Sequence, residues 1–158
     1  MKMQTYIGTK IIEAVPAIRK GGKVYEEGQP IPKSMDPVAE GYKVRYPDGY
    51  ESFSPKAVFE AAYRPIDGMN FGLAVEAAKQ GKKITRRGWN GKGMWVIYRS
   101  GYPKGIPCNK NTADAVGIPE GTLFKVRPYL QMKCADDTFQ MWLASQSDIL
   151  AEDWEIVE

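Results

Sequence analysis

The stretch RRGWNGKGMW, Arg86 to Trp95, sets two guanidinium groups and an indole against a loop that carries three glycines. Glycines on both sides of Trp89 remove Cβ atoms, so a ligand can approach the main chain closely. Exposed N–H groups in such a turn can form an anion-binding concavity. Arg86 and Arg87 add planar forks suited to phosphate oxygens, with Lys82, Lys83 and Lys92 as nearby point charges. Trp89 offers a π-face on which a base can stack. The plainer alternative is a hairpin with a buried indole and solvated arginines, and composition alone leaves both open. If KKITRRGW is a strand, Arg86 and Arg87 point to opposite faces. Of the two, Arg87 is expected to meet an anion.

A second candidate is MWLASQSDILAEDW. Ser145 with Asp148 three residues on is a capping box. A helix start of this kind exposes N–H donors that suit a phosphate or ribose oxygen. Ser145, Gln146, Ser147 and Asp148 add polar side chains at the same end, Asp148 as an acceptor for a ribose hydroxyl. The alternative is a capped surface helix with Trp142 and Trp154 packed inside. Asp136, Asp137, Glu152, Asp153 and Glu155 show no acid–base spacing, and Asp136-Asp137 reads as turn chemistry. Tyr6, Tyr42, Tyr46 and Tyr50 read as strand-face aromatics.

What is missing narrows the chemistry. The 158 residues contain no histidine, which removes the commonest general base near neutral pH and the commonest metal ligand. A Ser-His-Asp triad, a Cys-His dyad and a His-containing zinc site are excluded within the chain. No cofactor is expected. A net charge of +3 is too small for tracking duplex nucleic acid but suits a small anionic ligand. No apolar run approaches the roughly 18 residues that span a bilayer. MKMQTYIGTK lacks the apolar core of a signal peptide, so the expected location is the cytosol, with Cys108 and Cys134 as reduced thiols.

The elements that must position these residues fall into two modules, 1–66 and 67–158, divided at RPIDGM. In the first, TYIGTKIIEAVPAI reads as a strand ending near Pro16, and GGKVYEEGQPIPKSMDPVAEG as mostly loop. GYKVRYPDGYESF is a hairpin around Pro-Asp-Gly. Ser54 and Pro55 read as N-cap and first residue of a short helix that buries Val58, Phe59 and Ala62. In the second, Asn70 caps a helix through Ala78 that ends at Gly81. KKITRRGW and MWVIYR are strands, Ser100–Gly121 reads as a long loop, and PYLQMKCADDTFQMWLAS is a hairpin. A short helix after Ser145 and a closing strand WEIVE complete an α+β architecture of small antiparallel sheets.

These pieces in this order resemble a known family. MNFGLAVEAAKQGKKITRRGWNGKGMWV, PYLQMK and WLASQSDILAEDWEIV are similar to the second Thoeris anti-defence family, over residues 69–158. Residues 5–64, with YIGTKII, EGYKVRYPDGYESFSPKAVF and AAYR, resemble a separate short phage-protein family without established function. The first resemblance implies a sponge, not a catalyst. It implies binding of cyclic ADP-ribose isomers made by TIR-domain enzymes, in the cytoplasm of the infected host. It also implies a homotetramer with pockets between subunits and, in some members, a separate site for cyclic di- or trinucleotides. Neither duplex nucleic acid nor a membrane is an implied partner. By the same resemblance Trp89 is the stacking platform, Asn90 binds polar groups, and Arg87 and Lys92 neutralise phosphate. Trp142, Ser145, Gln146 and Asp148 supply the rest of the pocket. Two other classes remain beside the sponge, a carboxylate-based nucleotide hydrolase and a virion or assembly protein.

Overall fold

Gly21 and Gly22 sit at φ of 56° and 76°, the left-handed conformation that a two-residue hairpin turn requires. In the computed structural model, which describes residues 3–158, they join β1 (Glu13–Lys20) to β2 (Lys23–Glu26). The expected loop after Lys20 is therefore partly strand, because Gly-Gly followed by KVYE is a hairpin signal rather than a linker. Met1 and Lys2, part of the sequence read as lacking a leader, lie outside the described residues.

The chain divides into two compact units, Met1–Pro65 and Ile66–Glu158. The first is a four-stranded antiparallel sheet of order β2-β1-β3-β4, with β3 (Val38–Arg45) and β4 (Glu51–Pro55) joined at the Pro-Asp-Gly turn. Gly49 of that turn has φ 85°. Three expectations are corrected here. The first strand does not begin near Thr5 and end near Pro16, but starts at Glu13 and runs to Lys20. Its pairing with β3 begins at Glu13↔Arg45, so the residues before it have no ladder partner. Pro16 is tolerated because β2 pairs only with Ala17–Lys20 and leaves this half of β1 at an edge. Ser54 belongs to β4 and makes no cap: α1 (Lys56–Ala62) starts after Pro55 without a side-chain cap. Val58 and Ala62 are exposed, and only Phe59 is half-buried, stacked on Tyr42 at 4.1 Å and Tyr63 at 5.0 Å.

The fully covered side chains of this sheet are few, Ala17 and Val44. Gly41 is obligatory for a packing reason. A Cβ there would collide with the Ser54 carbonyl oxygen and lie 2.6 Å from the Phe53 ring. That ring carries the Arg19 guanidinium 5.0 Å above it.

The second unit is built on α2 (Phe71–Lys79). Asn70 Oδ1 accepts from the Leu73 N–H at 2.9 Å, and Gly81, at φ 88°, follows its end. Its alanines, Ala74, Ala77 and Ala78, let the helix approach a five-stranded antiparallel sheet. Those strands are β5 (Lys83–Arg86), β6 (Trp95–Arg99), β9 (Tyr129–Lys133), β10 (Phe139–Met141) and β11 (Trp154–Val157), in the order β10-β9-β6-β5-β11. Ile84, Val96, Met132 and Trp154 face the helix, and Trp154 is completely buried. α4 (Gln146–Leu150) precedes β11.

The expected long loop Ser100–Gly121 is also corrected. It contains β7 (Tyr102–Pro107), paired with β8 (Leu123–Val126), and α3 (Lys110–Val116) between them. A register shift between Tyr102 and Ile106, with Gly105 at φ 100°, hides the period-2 pattern. Asn109 Oδ1 caps α3 by accepting from the Thr112 N–H, and Gly117 ends it in the left-handed region. Every strand pair among the described residues is antiparallel, so the architecture is α+β.

Candidate functional site

β5 and β11 are neighbours with Arg86 directly opposite Trp154. Arg86 is two residues from the buried Ile84, so alternation turns it to the inner side of the sheet. Its Nε donates to Asp153 Oδ1 at 2.8 Å and its Nη1 to Asp148 Oδ1 at 2.9 Å. Arg87 lies past the strand, exposed, and its Nη2 donates to the Asp67 carbonyl at 3.0 Å. The arginine that converges with Trp89 and Asp148 is therefore Arg86, while Arg87 stays on the outer side of the loop. Strand alternation separates the two, and only the partner strand, far away in sequence, shows which side is inward.

Trp89 is half-buried, and its indole N–H donates to Asp148 Oδ1 at 2.9 Å. Its ring meets Trp142 edge-on at 5.8 Å and Trp154 at 5.3 Å, while Phe71 closes the cluster 5.4 Å from Trp154. Trp154 donates its own indole N–H to the Asp148 carbonyl at 2.9 Å. The loop and the α4 start, 59 residues apart, are thus one structure.

Asp148 is the hub of that structure. Oδ1 accepts from Arg86 and Trp89; Oδ2 accepts from the Ser145 hydroxyl at 2.7 Å and the Ser145 N–H at 3.1 Å. The Ser145 hydroxyl in turn accepts from the Asp148 N–H, closing the capping box. Burial alone would push this carboxyl up, but the bonds from Ser145, Arg86 and Trp89 outweigh it and hold it at about 2. Asp153 is also held below the ordinary carboxylate value, first by Arg86, against burial, with a further bond from the Gly88 N–H at 2.7 Å. Asp153 and Asp148 raise Arg86 in return.

The expected ribose contact of Asp148 does not fit this arrangement. Four donors fill its two oxygens and leave no acceptor site for a hydroxyl. Ser145 is engaged in the same box. By contrast Asn90, Lys92 and Gln146 are exposed, and none has a side-chain hydrogen bond among the described residues. Gly91 is pressed against Met94 and Ala135, where a Cβ would collide with the Met94 sulfur, and Gly93 sits at φ 68°. The glycines therefore shape the loop and keep its outer backbone bare. Arg86 and Asp153 are the members of this site that spacing in the sequence does not single out. The register that unites them could not be read from spacing, although Trp154 one residue after Asp153 marked a buried strand start.

Cys108 is buried with its thiol 3.4 Å from the Pro119 carbonyl, and Cys134 is half-buried; both are free thiols. No helix among the described residues is long and apolar enough to cross a membrane.

This histidine-free sheet, with a tryptophan cluster pinned by a capping-box aspartate, has relatives. A family model for the Thoeris anti-defense 2-like domain matches residues 69–157. The chain is 36% identical over 90 residues to Thoeris anti-defense 2 of Bacillus phage SP01, covering 56% of this chain and 94% of that protein. The chain belongs to the Thoeris anti-defense 2-like family.

Proposed function

We propose that this chain binds and sequesters cyclic ADP-ribose-type signals made by TIR-domain enzymes, without cleaving them. The second unit carries the activity, and the cytoplasm of an infected bacterium is where it acts. The observation that carries the reading is the joining of the Trp89 loop to the Ser145 helix start through Asp148, within the span that matches the family. Asn90, Lys92, Gln146 and the bare loop backbone are left free to meet an anionic, base-bearing ligand, with Arg87 on the outer side. The exposed part of Trp89 and its neighbour Trp142 supply aromatic surface for a base. Ser145 and Asp148 serve by holding these groups in place.

The carboxylates support binding over hydrolysis. Asp148 is held ionised by Ser145, Arg86 and Trp89 and Asp153 by Arg86 and the Gly88 N–H, both below the ordinary carboxylate value, so neither is tuned to move a proton near neutral pH. A sponge has to lower free signal below a threshold, so slow release matters more than fast capture. Assembly into a tetramer, with pockets between subunits, is part of the proposal. Phe139, Met141, Leu143, Ile149 and Leu150 leave apolar surface exposed on β10 and around α4, of the kind that subunit contacts cover. Cyclic di- or trinucleotides at a separate site are a further part of it. The first unit, Met1–Pro65, is proposed to be a separate phage-protein module.

The test is direct. Purified protein incubated with a ribose–ribose-linked cyclic ADP-ribose isomer and then heat-denatured should return the ligand intact by mass spectrometry. Recovery of a new product with repeated turnover would instead favour a hydrolase. Trp89→Ala should weaken binding of this probe by about 10-fold to 100-fold, the loss of one stacked base. Equal loss of folding would make Trp89 a core residue only.

A further inference from the structure

Arg86 and Asp153 make contacts that neither the helix cap nor the sheet core requires. Beyond the pair itself, Asp153 Oδ2 accepts the Gly88 N–H at 2.7 Å, and the Asp153 carbonyl accepts the Arg87 N–H at 3.2 Å. The Trp89 N–H donates back to the Arg86 carbonyl at 3.2 Å. Three consecutive backbone N–H groups, those of Arg87, Gly88 and Trp89, are thus fixed by two residues. Arg86 then links this turn to Asp148, which holds the Trp89 indole from the other side. Gly88 fits only because it has no side chain: a Cβ there would lie 2.7 Å from Asp153 Oδ2 and 3.3 Å from Arg86 Nη2.

We infer that Asp153 is a positioning residue for ligand retention: through Gly88 and Arg86 it locks the Trp89 loop in its binding shape. This rests on the sequestration reading above. The loop's outer groups, Asn90 and Lys92, make no other anchoring side-chain bonds among the described residues, so their placement depends on the turn beneath them. A loop ordered before binding loses less conformational entropy on capture, and the gain is expressed as slower release. The lock is built from charge-assisted bonds between partly buried groups, the Arg86 side chain 17% and Asp153 27% exposed, so solvent screens it little.

The experiment compares the full chain with Asp153→Asn, which keeps the size of the side chain but removes the charge that holds Arg86. Gly88→Ala opens the lock from the other side and serves if Asp153→Asn does not fold. Release of the ribose–ribose-linked cyclic ADP-ribose isomer is timed, and the Trp89 indole N–H resonance is followed by NMR. The expected result is release faster by about tenfold, the worth of one charge-assisted bond. A shifted or broadened Trp89 indole resonance, with the thermal midpoint still well above the assay temperature, should accompany it. Asp153→Glu should restore part of the retention. If the folded variants release the probe as slowly as the parent chain, the positioning role is wrong. If the parent chain itself does not bind, the sequestration reading fails first, a result told apart by the unmodified chain alone.

Discussion

Lys43 of the first unit lies 2.8 Å from Glu26 and 3.3 Å from Glu51, and Arg45 bridges Glu51 and Glu13. These side chains keep between 31% and 78% of their surface in water. Arg86 of the second unit has the same kind of partners, Asp148 and Asp153, but the three are only 17%, 11% and 27% exposed. Residue types and distances are nearly alike, and the environments are not. On the first sheet the ions form a solvated ladder that decorates a thin core. On the second they are wedged between a tryptophan cluster and a helix cap, where an unpartnered charge is costly. An ion pair therefore carries information about a site only when its burial is known.

The sharpest way to break this contrast is Arg86→Met. It leaves Asp148 and Asp153 partly buried without their shared cation, and chemical denaturation should show a loss of about 3–5 kcal/mol. A loss under about 1 kcal/mol would put this network in the same class as a surface ladder. Acid titration comes next. The Asp148 carboxyl is held at about 2 against an ordinary 3.8, so its stabilisation is complete above the unfolded value and is lost as pH falls from about 4 through 2. This contribution, about 2 kcal/mol, should disappear from the acid limb of the stability curve in Asp148→Asn. An unchanged acid limb would mean that the carboxylate is not held ionised by its partners. The smallest effect is expected for Lys43→Met in the ladder. Its unfolding midpoint should barely differ from that of the parent chain, and any difference should vanish in about 1 M salt. A drop comparable to that of Arg86→Met would erase the distinction between the two units.

Much of the local structure is legible in the sequence because its causes are local. Asn70 and Ser145 cap the helices that follow them, and Pro-Asp-Gly turns the β3–β4 hairpin. Asp136-Asp137 makes the β9–β10 turn, with Asp137 at φ 65° and Thr138 bonded to Asp136. Local rules fail in this chain where the tertiary structure overrides them. Pro16 stops a strand only when both edges are paired, and here one edge is free. Ser54 resembles an N-cap, but β3 claims it for the sheet. The Ser100–Gly121 segment hides a strand behind a bulge, since a register shift erases the alternation that marks one.

The sequence by itself determined the kinds of chemistry open to this protein. It has no histidine, a glycine-flanked indole beside two arginines, and a self-capping serine and aspartate, and the first of these excludes catalysis and metal ligation by histidine within the chain. Only the tertiary structure decided which arginine points inward, and that Asp148 and Asp153 share it. It also showed that Asp148 spends every acceptor on the protein itself. The reason is the register of β5 against β11, which brings together residues 67 positions apart. Capping and turn signals act over three or four residues, whereas that register is fixed by burial of Ile84 and Trp154 in a core that no short stretch can specify alone.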